Sequence, residues 1–128
     1  MSSEIDVLVL YGLLTVVVLL IQVLLAIPQV GLAYLATPRD ERRTLEGVAG
    51  RSLRCLENSI VAMALFAPAV LVLNAQGVST TSSLWAAQLF LFARVAYVPI
   101  YLMGIPWLRT GVWLVGFLAT AYLYFVAL

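Results

Sequence analysis

The sequence predicts an all-α integral membrane protein, a single domain of four membrane-spanning helices packed as a bundle. Three observations carry this. The 128 residues are 64% hydrophobic and 10% charged, with a mean hydropathy of +1.08. A soluble domain carries roughly 25% charged residues, so this chain cannot cover a surface facing water. Four apolar stretches follow one another, each near or above the ~20 residues a helix needs to cross the hydrocarbon core. Basic residues fall in the first and third connections between them and not in the second.

The first span covers about residues 7–36, and no charge occurs from Val7 to Pro38. That is longer than a crossing requires, so the helix tilts or protrudes. Pro28 is expected to kink it, because proline removes one helical hydrogen bond. Gln22, Ala26, Gln29 and Ala33 share one face by their 4-3-4 spacing, and small and polar residues mark a face that meets other helices. Residues 37–50 form a polar loop punctuated by Pro38, Gly47 and Gly50. The second span, about 51–74, contains Pro68. Residues 75–83 form an uncharged turn, in which Ser82 or Ser83 is expected to cap the next helix. The third span, about 84–104, contains Arg94 and Pro99. Residues 105–109 make a tight connection, and 110–128 is the fourth span.

Orientation follows from the arginines. With four spans, Arg39, Arg42, Arg43, Arg51 and Arg109 gather at one end. Both termini and the second connection lie at the other, with no basic residue. The positive end is expected to be cytoplasmic. The N-terminus, Met1 to Asp6, is acidic and lacks the basic start of a signal peptide, so the first apolar stretch reads as a retained span.

Composition also excludes chemistries. A net charge of +1 does not suit nucleic acid, so membrane lipids are the expected surroundings. No histidine is present, which removes the usual general base and metal ligand. The single cysteine, Cys55, allows neither an internal disulfide nor a CxxC metal site, and no metal is expected.

The polar residues that remain are concentrated. Arg51, Arg54 and Asn58 are spaced i, i+3, i+7 at the start of the second span, and so are Arg94, Tyr97 and Tyr101 in the third. Arg109 lies just beyond. Arg94 is about ten residues from Gly104, or roughly 15 Å deep at 1.5 Å per residue. Charged groups at such depth face a partner or a wet cleft, not lipid. Arginine binds carboxylates through paired donors, so the two stripes suit a small anionic ligand with more than one carboxylate. An arginine beside a thiol favours the reactive thiolate. Other readings stand beside this one. Arg51 and Arg54 can snorkel to lipid phosphates. Tyr97, Tyr101, Trp107 and Trp113 can form an interfacial belt. Arg94 can pair with Glu57 as a structural bridge, and Cys55 reads as a helix-packing residue.

Two segments resemble the MAPEG family, the membrane-associated proteins of eicosanoid and glutathione metabolism, and most closely its small bacterial members. The first is Gly50-Arg51-x-x-Arg54-Cys55-x-x-Asn58, leading into Leu65-Phe66-Ala67. The second is Phe92-Ala93-Arg94-x-x-Tyr97-x-x-x-Tyr101, then Gly104-Ile105-Pro106-x-Leu108-Arg109-Thr110. The resemblance implies a homotrimer in the bacterial inner membrane, with glutathione as co-substrate bound near the cytoplasmic side. It implies that Arg51, Arg54, Asn58, Arg94 and Tyr101 contact glutathione. It implies catalytic roles for Arg109, which would stabilise the thiolate, and for Tyr97 as a further donor. The second substrate would be a lipophilic small molecule, an electrophile arriving from the bilayer. The family's acidic residue on the second helix falls here on Val61, and the next aromatic position is Ala62. Glu57, one turn earlier, would then hold the glutathione ammonium. The implied activity is that of a glutathione-dependent transferase or peroxidase. The alternative is a non-catalytic lipid-binding or scaffold protein of the same fold, which Val61 and Ala62 favour. A transporter is disfavoured, because no span carries a carboxylate deep in the bilayer.

Overall fold

A computed structural model describes residues 3–128. Met1 and Ser2 of the acidic N-terminus lie outside the described residues. The described chain is helical: α1 (Glu4–Val30), a short α2 (Leu32–Leu35), α3 (Gly47–Gln76), α4 (Thr81–Leu102) and α5 (Pro106–Ala127). All but α2 are long and apolar enough to cross a membrane, with mean hydropathies of 2.8, 1.9, 1.4 and 1.6 over their most apolar windows.

The boundaries differ from the expected spans in instructive places. The first apolar stretch is not one helix. It runs unbroken through Pro28 and stops at Gly31, whose φ of 87° a residue with a Cβ rarely adopts. Ala33 therefore lies on α2, beyond the break, and leaves the face shared by Gln22, Ala26 and Gln29. Ala26 is fully buried while Ala33 is exposed. The helix α3 starts at Gly47, four residues before the expected span. The Gln29 amide is the cause. Its Nε2 donates to the Glu46 carbonyl at 2.9 Å, and its Oε1 accepts from the Glu46 amide at 2.8 Å. The end of α1 thus fixes the start of α3. The N-cap of α4 is Thr80 and not Ser82 or Ser83. Its hydroxyl accepts from the Ser83 amide at 3.1 Å, and Ser83 Oγ accepts from the Thr80 amide at 2.9 Å. This reciprocal pair satisfies two of the amides a helix start leaves open.

Packing joins α1 to α3 and α4 to α5, with α3 bridging the pairs. The interior is aromatic at mid-depth. Phe66 of α3 stacks on Phe90 of α4 with centroids 3.9 Å apart, and Tyr11 of α1 meets Phe90 edge-on at 4.9 Å. The Tyr11 hydroxyl donates to the Ser59 carbonyl at 2.7 Å. Leu13, Val16, Leu20 and Leu24 of α1 point outward. In water such a face would be costly, and in lipid it costs nothing.

Two contacts set the ends. Glu4 accepts from Ser79 Oγ at 2.9 Å and Ser83 Oγ at 2.5 Å, and Gln76 Nε2 donates to the Ala127 carbonyl at 3.1 Å. The start of α1, the α3–α4 turn and the end of α5 are therefore neighbours. The loop before α3 and the α4–α5 connection meet at the other end, where Arg51 Nε donates to the Leu102 carbonyl at 2.9 Å. The connection arginines gather at that end. The chain is a multi-pass integral membrane protein.

Candidate functional site

At the basic end, α3, α4 and α5 enclose an open cleft of about 480 Å³. Arg54, Glu57, Asn58, Tyr97, Tyr101 and Arg109 line it, together with Val61, Thr110 and Trp113. Six of the eight sequence candidates therefore face one space. The helical spacing explains why. Residues three and four apart share a face, so α3 presents Arg54, Glu57, Asn58 and Val61, and α4 presents Tyr97 and Tyr101.

Four groups form a ladder from the bundle interior to the basic end. The Arg94 guanidinium lies 4.2 Å from the Tyr97 ring centroid, and Tyr97 and Tyr101 have centroids 5.4 Å apart. The Arg109 guanidinium lies 4.7 Å from the Tyr101 centroid. Each cation rests on a ring face, where the quadrupole is negative. The Gly104 turn lets α5 bring Arg109 onto Tyr101; its φ is 74°. Neither the Tyr97 nor the Tyr101 hydroxyl is hydrogen-bonded within the described residues, so both are free to donate into the cleft.

The other two candidates stand apart. Arg51 does not line the cleft. Its Nε is committed to the Leu102 carbonyl, one of the four that the end of α4 leaves without a helical partner. It ties α3 to α4. Arg94 is only 2% exposed. Its Nη2 donates to Ser59 Oγ at 3.2 Å, while its Nε has no partner. The Arg94–Glu57 bridge is not formed. Glu57 is exposed and turned into the cleft, and the ion pair present among the described residues is Arg43–Glu41 at 3.4 Å. Arg94 instead borders a small pocket of about 60 Å³ deeper in the bundle. Asn58, Val61 and Trp113 line both this pocket and the cleft. The pocket is otherwise largely apolar, with Leu65, Phe90 and Phe117 on its walls. The Asn58 Oδ1 is buried there without a donor.

Arg54 also faces a second basic pocket, of about 390 Å³, between α1, α3 and the loop that joins them. Sequence reading did not single this pocket out. Its arginines come from a loop, where helical spacing gives no guide. Thr110 was missed for a similar reason. In the sequence it shows only that it follows Arg109, and its place on α5 puts it on the cleft wall.

Chemically, the cleft holds two arginines against one glutamate. It can neutralise anionic groups through guanidinium forks, accept a cation on Glu57, and donate from two phenols. It shares Asn58, Val61 and Trp113 with the smaller, largely apolar pocket. No curated protein and no solved structure matches the chain. The model of the MAPEG family matches residues 7–128, nearly the whole length. With four membrane-crossing helices and a cleft built from the second, third and fourth of them, the chain belongs to the MAPEG family, which is associated with eicosanoid and glutathione metabolism.

Proposed function

We propose that the protein is a glutathione-dependent transferase or peroxidase acting on lipophilic electrophiles. The observation that carries this is the convergence of Arg54, Glu57, Asn58, Tyr97, Tyr101 and Arg109 on one cleft that shares Asn58, Val61 and Trp113 with an apolar pocket. Glutathione carries two carboxylates, one ammonium and one thiol. Arg54 suits a carboxylate, Asn58 can donate to another, Glu57 suits the ammonium, and Arg109 with the Tyr97 and Tyr101 hydroxyls suits the sulfur. The arrangement favours ionised over neutral thiol, because positive charge and donors surround the sulfur in a partly desolvated site.

The chemistry then needs little more than placement. Arg109 holds the thiolate, and its proton leaves to solvent. The electrophile enters from the bilayer by the apolar pocket beside Asn58 and Val61. The sulfur forms a bond to the electrophilic carbon, and the leaving group departs with its electron pair. Arg94 does not touch the thiol in this reading. It positions Tyr97 from behind the ring.

We infer further that the protein is a homotrimer in the bacterial inner membrane with its basic end facing the cytoplasm. Family membership supports the trimer, and a neighbouring copy would close the open side of the cleft. The one-sided distribution of connection arginines supports the orientation.

Val61 favours a second reading. It is 59% exposed and lies in the cleft at the position of the family's acid. A chain that had lost thiol binding would keep the apolar pocket and serve as a lipid-binding or scaffold protein. Calorimetry on detergent-solubilised protein with glutathione, followed by chlorodinitrobenzene conjugation, separates the two. Binding below millimolar with conjugation supports the transferase. Absence of binding at millimolar thiol removes it. Sedimentation analysis in the same detergent tests the trimer, and a monomer would remove that part.

A further inference from the structure

The second basic pocket shares Arg54 with the thiol cleft, but its other arginines, Arg39, Arg42 and Arg43, play no part in the reaction proposed above. Four arginines, Arg39, Arg42, Arg43 and Arg54, stand around it. No acidic side chain lines it. Its floor is apolar, formed by Ala26 and Val30 of α1 and Leu53 of α3.

The four arginines divide into two pairs. Arg43 Nη1 donates to the Val30 carbonyl at 2.9 Å, and Arg39 Nε and Nη2 donate to the Leu35 carbonyl at 3.3 and 3.1 Å. These carbonyls end α1 and α2. A helix C-terminus is a region of negative potential that would repel an anion. Arg39 and Arg43 cover it. Arg42 and Arg54 make no hydrogen bond and no ion pair among the described residues. Only Arg43 has a carboxylate partner, Glu41. The pocket rim therefore carries two guanidinium groups without a partner among the described residues, that of Arg42 and that of Arg54, which also lines the thiol cleft, above a partly aliphatic floor.

That combination selects its occupant. Guanidinium forks pair with the oxygens of a phosphate or carboxylate, and a phosphate offers enough oxygens to engage several arginines at once. A volume of about 390 Å³ is larger than an isolated phosphate requires. The rest of the lining runs along the membrane-crossing part of α1, from Val30 through Ala26 to Gln22. Basic clusters at this level attract anionic lipid headgroups. We propose that this pocket is a phosphate-binding site, taking the phosphate of an anionic phospholipid or of a soluble phosphate ester. It is separated from the thiol cleft by Arg54, which lines both.

The test uses the delipidated full chain in a non-ionic detergent, titrated calorimetrically with dihexanoyl phosphatidylglycerol, dihexanoyl phosphatidylcholine and inorganic phosphate. The glycerol lipid is expected to bind at least about tenfold more tightly than the choline lipid, since both carry one phosphodiester and the choline ammonium cancels its charge. Arg42→Ala is expected to weaken it about tenfold, and Arg42→Glu to abolish it. Arg42 is exposed and unbonded, so neither change should alter the melting curve. Inorganic phosphate binding with the same dependence on Arg42 identifies a soluble source. Phosphatidylglycerol binding without it identifies a lipid source, and either result supports the site. Equal affinity for the two lipids overturns the proposal. So does binding unaffected by both Arg42 variants, or displacement of phosphatidylglycerol by glutathione, which would assign the pocket to the thiol.

Discussion

Arg94 is held between Ser59 and Tyr97. Its Nη2 donates to Ser59 Oγ at 3.2 Å, and its guanidinium rests 4.2 Å from the Tyr97 ring centroid, with no carboxylate in reach. Ser59 is itself a junction. Its hydroxyl donates to the Cys55 carbonyl at 2.8 Å, and its carbonyl accepts from Tyr11. Removing the acceptor leaves a buried cation with less compensation, and removing the cation relieves that burden. Ser59→Ala is therefore expected to destabilise the protein by about 1–3 kcal/mol. Arg94→Met, of similar length and uncharged, should cost less than Ser59→Ala. Thermal unfolding in detergent ranks the two. The reverse order would mean that Arg94 has an anionic partner outside the described contacts.

Gly50 allows the loop before α3 to fold back on the helix. A Cβ built there would meet the Leu45 carbonyl oxygen at 2.8 Å, a backbone atom that cannot swing aside, and Arg54 Nη1 at 3.4 Å. Gly50→Ala is expected to destabilise by about 1–3 kcal/mol through overpacking. Thermal melting in detergent checks this. A normal melting temperature would show that the loop moves freely away from the helix.

Much of the site could be read along the chain because helices turn spacing into direction. Arg94 and Tyr97, three apart, do stack, and Arg54, Asn58, Tyr97 and Tyr101 do converge. Spacing gives the direction of a side chain and not what waits there. Arg51 shares the face of Arg54, yet it meets the open carbonyl of Leu102, which is known only once α3 and α4 are placed. The Arg94–Glu57 pairing failed for the same reason. The two charges belong to adjacent helices, but Glu57 is exposed in the cleft and Arg94 is buried beside Ser59. The early end of α1 is legible in principle from Gly31, since α1 runs through Pro28 and breaks at the glycine. The start of α3 was not legible, because Gln29 and Glu46 are joined across a loop.

Arg109 reaches the cleft only by lying on Tyr101, 4.7 Å from its centroid. In the proposed reaction Arg109 acts on charge that develops at the sulfur more than on the carboxylates. Arg109→Ala is expected to lower kcat for conjugation about 100-fold, a size typical of losing one group that stabilises reacting charge. The Kd for glutathione should change by less than about threefold, because other groups hold the carboxylates. Steady-state kinetics and calorimetry give the two numbers. A large rise in Kd with kcat preserved would move Arg109 from the thiolate to a carboxylate.

Val61 and Glu57 allow the sharpest test of the cleft. Both line it, one turn apart on α3, and only Glu57 can compensate an ammonium there. An exposed ion pair is worth ~1 kcal/mol or less, and partial burial in a bound complex raises that. Glu57→Gln is therefore expected to weaken glutathione binding between about threefold and tenfold. It should not weaken a glutathione analogue whose amino group is acetylated. Val61→Glu places a carboxylate where the family's acid lies. It is expected to restore affinity in the Glu57→Gln background and to do nothing for the acetylated analogue. Val61 is well exposed, so the longer side chain meets no core. If Glu57→Gln binds normally and Val61→Glu then gains affinity, the ammonium sits at position 61 without a partner. If neither change discriminates between the two ligands, the cleft does not hold an ammonium, and the lipid-binding reading gains the ground.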